Sequence, residues 1–124
     1  MDTKRKVLII DDEEAILKNI GDFLRVKGYE VWTSMDGNAG IELVKTQSPD
    51  LLILDLYLKE GPAGVQILRL TKMMKPNLKV VMFTGFGEDI EAKSVCTSLG
   101  ADEFLSKPTS LKTLTEVVDR LLKG

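Results

Sequence analysis

Val7-Leu8-Ile9-Ile10-Asp11-Asp12 decides how the rest of this chain is read: four apolar residues run straight into two carboxylates. Three further stretches repeat the design. Leu51-Leu52-Ile53-Leu54 runs into Asp55, Val80-Val81-Met82-Phe83 into Thr84, and Glu103-Phe104-Leu105-Ser106 into Lys107-Pro108. If the four runs are parallel strands of one sheet, three carboxylates, a hydroxyl and an ammonium meet at its C-terminal edge. Ligands of open α/β sheets bind at that edge. This set of groups suits a divalent cation and a phosphoryl group.

Amphipathic stretches separate the runs. From Glu13 to Lys27, residues Ile16, Leu17, Ile20, Phe23 and Leu24 share one face at helical spacing, and Gly28 stops the helix. Glu30-Val31-Trp32-Thr33-Ser34 is rich in β formers and reads as a second strand. Asp36 caps a helix from about Gly37 to Thr46 that buries Ala39, Ile41, Leu43 and Val44, and Ser48-Pro49 ends it. After the strand Leu51 to Asp55 come a turn-rich loop, Lys59 to Gly64, and a helix from Val65 to about Lys75 closed by Pro76. A strand over Lys79 to Phe83 follows, then a loop loosened by Gly85 and Gly87 and a helix from about Glu88 to Leu99. The last strand is Glu103 to Ser106, and a helix capped near Ser110 buries Leu111, Leu114, Val117, Val118 and Leu121. Five βα units in this order predict a parallel sheet with helices on both faces, joined by right-handed crossovers. With no internal repeat, low-complexity segment or linker, the expectation is one domain over residues 1–124 with no appended effector.

Composition narrows the function. The chain has 124 residues, enough for one sizeable core, and 44% hydrophobic with 29% charged residues is ordinary for a globular protein. Seventeen basic against nineteen acidic residues leave a net charge of −2, so no basic footprint for nucleic acid is expected. Only four apolar residues follow the charged start, too few for a signal peptide, and nothing approaches a membrane span. The single cysteine, Cys96, excludes an intramolecular disulfide and reads as a partly buried helix residue. A cytoplasmic location is expected. There is no histidine, which excludes Ser-His-Asp and Cys-His pairs, His-bearing zinc sites and phosphate carried on the chain's own histidine. Catalysis here would run on carboxylates, a metal, lysine or hydroxyls.

An aspartate such as Asp55 can attack phosphorus and form an acyl phosphate. An anionic donor would be repelled unless the site held positive charge. Magnesium takes oxygen ligands, and a cation would relieve the repulsion among Asp11, Asp12 and Asp55. Lys107 offers a second positive charge and Thr84 a hydroxyl donor, so transfer becomes mostly positioning and electrostatics. Singly, each residue has a plain reading: Asp11-Asp12 as a helix N-cap, Asp55 as a turn residue, Thr84 as a strand-end hydroxyl, Lys107 as a solvated charge. Their joint occurrence at one end of four strands, in one order, favours the chemical reading.

On these residues the chain resembles, over nearly its whole length, the receiver domain of two-component response regulators. Ile9-Ile10-Asp11-Asp12-Glu13-Glu14 is similar to the family's acidic cluster, Leu54-Asp55-Leu56 to its phospho-acceptor, Phe83-Thr84-Gly85 to its switch hydroxyl, and Lys107-Pro108 to its lysine and cis-proline. The resemblance implies a five-stranded flavodoxin-like α/β fold of order 2-1-3-4-5, a topology for which a receiver is a stock example. It implies that Asp11, Asp12, Asp55 and the backbone carbonyl of Tyr57 bind Mg²⁺, with Mn²⁺ as a substitute. Asp55 would take phosphate from a sensor histidine kinase or a histidine phosphotransfer protein. Thr84 and Lys107 would contact the phosphoryl group, Phe104 would turn inward, and the fourth helix, fifth strand and fifth helix would signal to a downstream protein or output domain. A phosphorylation-dependent homodimer is a common mode in the family. Such a domain is no conventional enzyme, although it catalyses its own phosphorylation and slow dephosphorylation.

The chain also departs from the pattern. Lys59 stands where the family usually has proline, the loop to Gly64 is about one residue longer, and Thr109 replaces a common aromatic. Tyr57 and Phe86 stand at positions that in the family flank the path of the hydrolytic water, which by the resemblance implies a shielded phosphorus and slow self-dephosphorylation, unless Tyr57 points into solvent and serves only partner contact. Three other readings stand beside the main one. A haloacid-dehalogenase-type phosphohydrolase wants a second Asp where Tyr57 is. A degenerate receiver would be a binding module only, and the chain could be a receiver cut from a larger regulator or hybrid kinase.

Overall fold

The computed structural model describes residues 4–59, 61–85 and 90–123. Five parallel strands form one sheet of order β2-β1-β3-β4-β5, with β1 at Lys6–Ile10, β2 at Glu30–Ser34, β3 at Leu51–Leu54, β4 at Lys79–Thr84 and β5 at Glu103–Ser106. The helices between and after them are α1 Glu14–Val26, α2 Gly37–Gln47, α3 Gly64–Met74, α4 Ile90–Ser98 and α5 Leu111–Leu122. The expected flavodoxin-like order holds, and the strands lie within a residue or two of where the apolar runs put them.

The strands are apolar on both sides because both faces are covered. Val7, Ile9, Leu51, Ile53, Val81 and Phe83 point towards α1 and α5, while Leu8, Ile10, Leu52, Leu54, Val80 and Met82 point towards α2, α3 and α4. This period of two sets up the site. Register aligns Ile10 with Leu54, Leu54 with Met82, and Thr84 with Ser106, so the residues just beyond the strands arrive at one level.

Helix ends follow local chemistry. The Asp36 carboxylate accepts from Ala39 N–H at 3.0 Å, and Ser110 Oγ accepts from Thr113 N–H at 3.0 Å, as N-caps do. Ser48, at φ 45°, closes α2 in the left-handed region. Two burial expectations are corrected. In α2 the buried residues are Gly37, Gly40 and Val44, and Ala39 is exposed. The helix turns its glycine side inward because it lies close on β1: a Cβ at Gly40 would stand 2.4 Å from Ile10 Cδ1. In α5 Leu111 is exposed, and Thr115 takes an inner position by donating its hydroxyl to the Leu111 carbonyl at 2.7 Å. Cys96 is fully buried, which burial alone makes less acidic and inert. Among the described residues no helix is long and apolar enough to cross a membrane.

Candidate functional site

Continuing the strand alternation past β1, β3 and β5 puts Asp11, Asp55 and Lys107 on the α1–α5 side of the edge. There the three side chains meet. Lys107 Nζ lies 2.8 Å from Asp11 Oδ2 and 3.6 Å from Asp55 Oδ2, with both carboxylates almost fully buried. The Lys107 backbone is pinned as well, its N–H donating to the Thr84 carbonyl at 2.8 Å. The Lys107–Pro108 peptide bond is cis. Thr84 ends β4 and is fully buried.

Glu13 is a member of this group that motif reading left without a role. Its carboxylate bonds Lys107 Nζ at 3.0 Å, and although it occupies the N-cap position of α1 its side chain makes no cap bond. Its place in the acidic run was the only sign, and that run does not say which of its members reaches lysine.

One oxygen from each of Asp11, Asp12 and Asp55 lies within 4.8 Å of the others. Neighbouring oxygens around a magnesium ion stand about 3 Å apart, given bonds of about 2.1 Å, so the trio would have to draw closer to share one. The electrostatics also suit a cation. Burial, then the Asp11 charge, push the Asp55 carboxyl up to about 6 against the pull of Lys107 and the Tyr57 N–H. Burial also raises Asp11, despite its bonds to Lys107 and Glu13 N–H. Lys107 is raised: burial works to lower it, but Asp11, Glu13 and Asp55 outweigh that. One ammonium therefore leaves the carboxylates under-neutralised, the condition a hard divalent ion relieves.

The cleft at this edge measures about 380 Å³ and is lined by Asp12, Asp55, Tyr57, Lys59, Thr84 and Lys107, among others. Tyr57 is 46% exposed at its rim, and its N–H donates to Asp55 Oδ1 at 3.3 Å. Phe104 on β5 is half-buried and packs on the α2–α4 side of the core. Phe86, the other residue expected to shield the phosphorus, lies outside the described residues.

Comparison with known proteins gives the same picture. The response regulator receiver domain model matches residues 7–119. The alkaline phosphatase synthesis transcriptional regulatory protein PhoP of Bacillus subtilis is 30% identical over 119 residues, an alignment covering 96% of this chain and 49% of PhoP. The chain thus spans about half the length of that relative. A CheY-like receiver domain protein from Methanospirillum hungatei superposes with a TM-score of 0.90 at 27% identity, covering 96% of this chain and 94% of that one. The receiver domain of NtrX from Brucella abortus does so at 0.88 and 30% identity, covering 94% and 98%. Receivers are signalling domains of two-component systems rather than conventional enzymes, and they work between histidine kinases and output domains. With the fold, the edge of acidic and basic groups and these matches agreeing, the chain belongs to the response regulator receiver family.

Proposed function

We propose that this chain is a phosphorylation-dependent switch whose Asp55 accepts a phosphoryl group from a histidine kinase or phosphotransfer protein. The observation that carries the reading is Lys107 Nζ held between the buried Asp11 and Asp55 carboxylates, beside a third carboxylate, Asp12. An Asp55 oxygen attacks phosphorus, the P–N bond to the donor imidazole breaks, and the imidazole leaves with a proton. Lys107 stays within reach of the incoming phosphoryl oxygens, and Thr84, at the end of the neighbouring strand, supplies a hydroxyl to them. Asp11, Asp12, Asp55 and the Tyr57 carbonyl would hold Mg²⁺, or Mn²⁺, which neutralises the carboxylates and the transferring group.

Phosphorylation adds about one unit of negative charge at neutral pH. Lys107 must then leave Glu13 to follow the phosphoryl oxygens, and Thr84 draws in the loop after β4. Phe104 fills the space behind it, and the α4-β5-α5 surface changes for a downstream partner, an output domain or a second copy of the chain. Tyr57 at the rim would slow water's approach to phosphorus, and an unchanged hydrolysis rate in Tyr57→Ala would remove that role.

Intact mass after incubation with acetyl phosphate and Mg²⁺ tests the whole reading. Wild type is expected to gain about 80 Da, one phosphoryl group, and Asp55→Ala to gain nothing. No adduct on wild type, with beryllofluoride also failing to bind, would make this a phosphorylation-independent binding module.

A further inference from the structure

Among the described residues each of the three site carboxylates accepts a backbone N–H, and one of those bonds is unlike the others. Asp11 takes Glu13 N–H at 2.9 Å and Asp55 takes Tyr57 N–H at 3.3 Å, both from two residues further along the same turn. Asp12 Oδ2 instead takes Lys59 N–H at 3.1 Å, from the β3–α3 loop 47 positions away. A proline at position 59 has no N–H and could not make this bond.

We propose that the Lys59 amide is a positioning group for Asp12, holding its carboxylate ready for a divalent cation and tying cation binding to the β3–α3 loop. The inference rests on the cation site proposed above. Asp12 is only half-buried, so without a partner its side chain would sample several rotamers that binding must then freeze out. An N–H donated to an ionised carboxylate is stronger than a neutral bond and leaves the second oxygen for the ion. The loop's far end packs so closely under β3 that a Cβ at Gly64 would lie 2.5 Å from the Asp55 carbonyl, and Gly64 N–H bonds the Leu56 carbonyl at 3.1 Å. Partners that orient metal-bound carboxylates in this way change affinity about 10- to 100-fold when lost.

The test is a Mg²⁺ titration of wild type, Lys59→Ala and Lys59→Pro, read by the rise in thermal midpoint with Mg²⁺. The alanine variant removes the side chain and keeps the amide, whereas the proline variant removes both. Lys59→Pro is expected to bind Mg²⁺ about tenfold more weakly than Lys59→Ala. Equal affinities, or tighter binding by the proline variant, overturn the proposal. Proline also restricts Leu58, so wild type supplies a second measurement that does not depend on the variant folding. The Lys59 amide proton is expected to stay protected from exchange as Mg²⁺ saturates the site, and free exchange there overturns the proposal too. If wild type binds no Mg²⁺, the cation site itself falls, an outcome distinct from two variants of equal affinity in a protein that does bind.

Discussion

α5 and α4 flank the same strand, β5, yet they are held in different ways. α5 buries Leu114, Val117, Val118 and Leu122 against the sheet and α1, with Ser110 capping its start. Each such side chain contributes about 1.5–3 kcal/mol. Within α4 only Cys96 is fully buried, Ala92 is half-covered, and Ile90 is 82% exposed. The difference separates a firmly packed helix from a loosely held one. If the proposed switch operates, the helix that moves is drawn from the weakly held elements, because a ligand can bias only an equilibrium whose states lie close in energy. Within the proposed α4-β5-α5 readout surface, α4 is therefore the element expected to shift more and α5 the element expected to shift less.

The strongest way to break this contrast is to truncate both helices. Leu114→Ala is expected to lower stability by about 3 kcal/mol through lost burial and the cavity left behind. Ile90→Ala should stay within about 0.5 kcal/mol, as exposed sites do. Urea unfolding of the two variants decides it, and comparable losses would show α4 to be as much scaffold as α5.

The sequence carried the strand-edge chemistry plainly, because residues that end parallel strands inherit their place from the strands themselves. Asp11, Asp55, Thr84 and Lys107 needed no tertiary detail beyond sheet order. What escaped was set by close approach and by backbone. Ala39 is five residues from Val44 and off its face, whereas Gly37 and Gly40 share that face at helical spacing, and the nearness of Ile10 keeps the inward position of Gly40 free of a side chain. Glu13 reaches Lys107 and Glu14 does not take its place, a choice that the helix start makes and the acidic run does not encode. The Lys59 bond to Asp12 uses an amide every residue but proline has, so only the loop's path could reveal it.

A second test asks whether the site belongs with the stable side of the contrast or is held against its own preference. Asp55 rises from 3.8 to about 6, so between those values the folded chain keeps a proton that the unfolded chain releases. Metal-free stability must then fall as pH rises through that window, and the loss is complete above it. Each pH unit of that window is worth about 1.4 kcal/mol, and the lost Lys107 contact offsets part of the sum. Asp55→Asn is therefore expected to be about 2 kcal/mol more stable than wild type at neutral pH without metal. The gap should close below about pH 4 and shrink when Mg²⁺ is added to wild type. A variant no more stable than wild type at neutral pH would mean that Lys107 already balances the site.

The smallest effect sharpens the α5 side. Tyr29, in the turn between α1 and β2, donates its hydroxyl to Asp119 on α5, tying the lower half of the helix across the α1 layer. Burial, then the bond to Asp119 and its charge, raise the phenol from 10.0 to about 12. The folded state thus holds the phenolic proton more tightly than the unfolded one, and this contribution is complete below about pH 10 and lost as pH rises towards about 12. Tyr29→Phe is expected to cost about 1 kcal/mol at neutral pH, the net worth of one hydrogen bond. Its difference from wild type should narrow between about pH 10 and about pH 12, where wild type alone loses the bond. Denaturation at several pH values measures both. A variant as stable as wild type at neutral pH, with the same alkaline profile, would mean that α5 is fixed by its apolar face alone and that its contrast with α4 is one of buried area only.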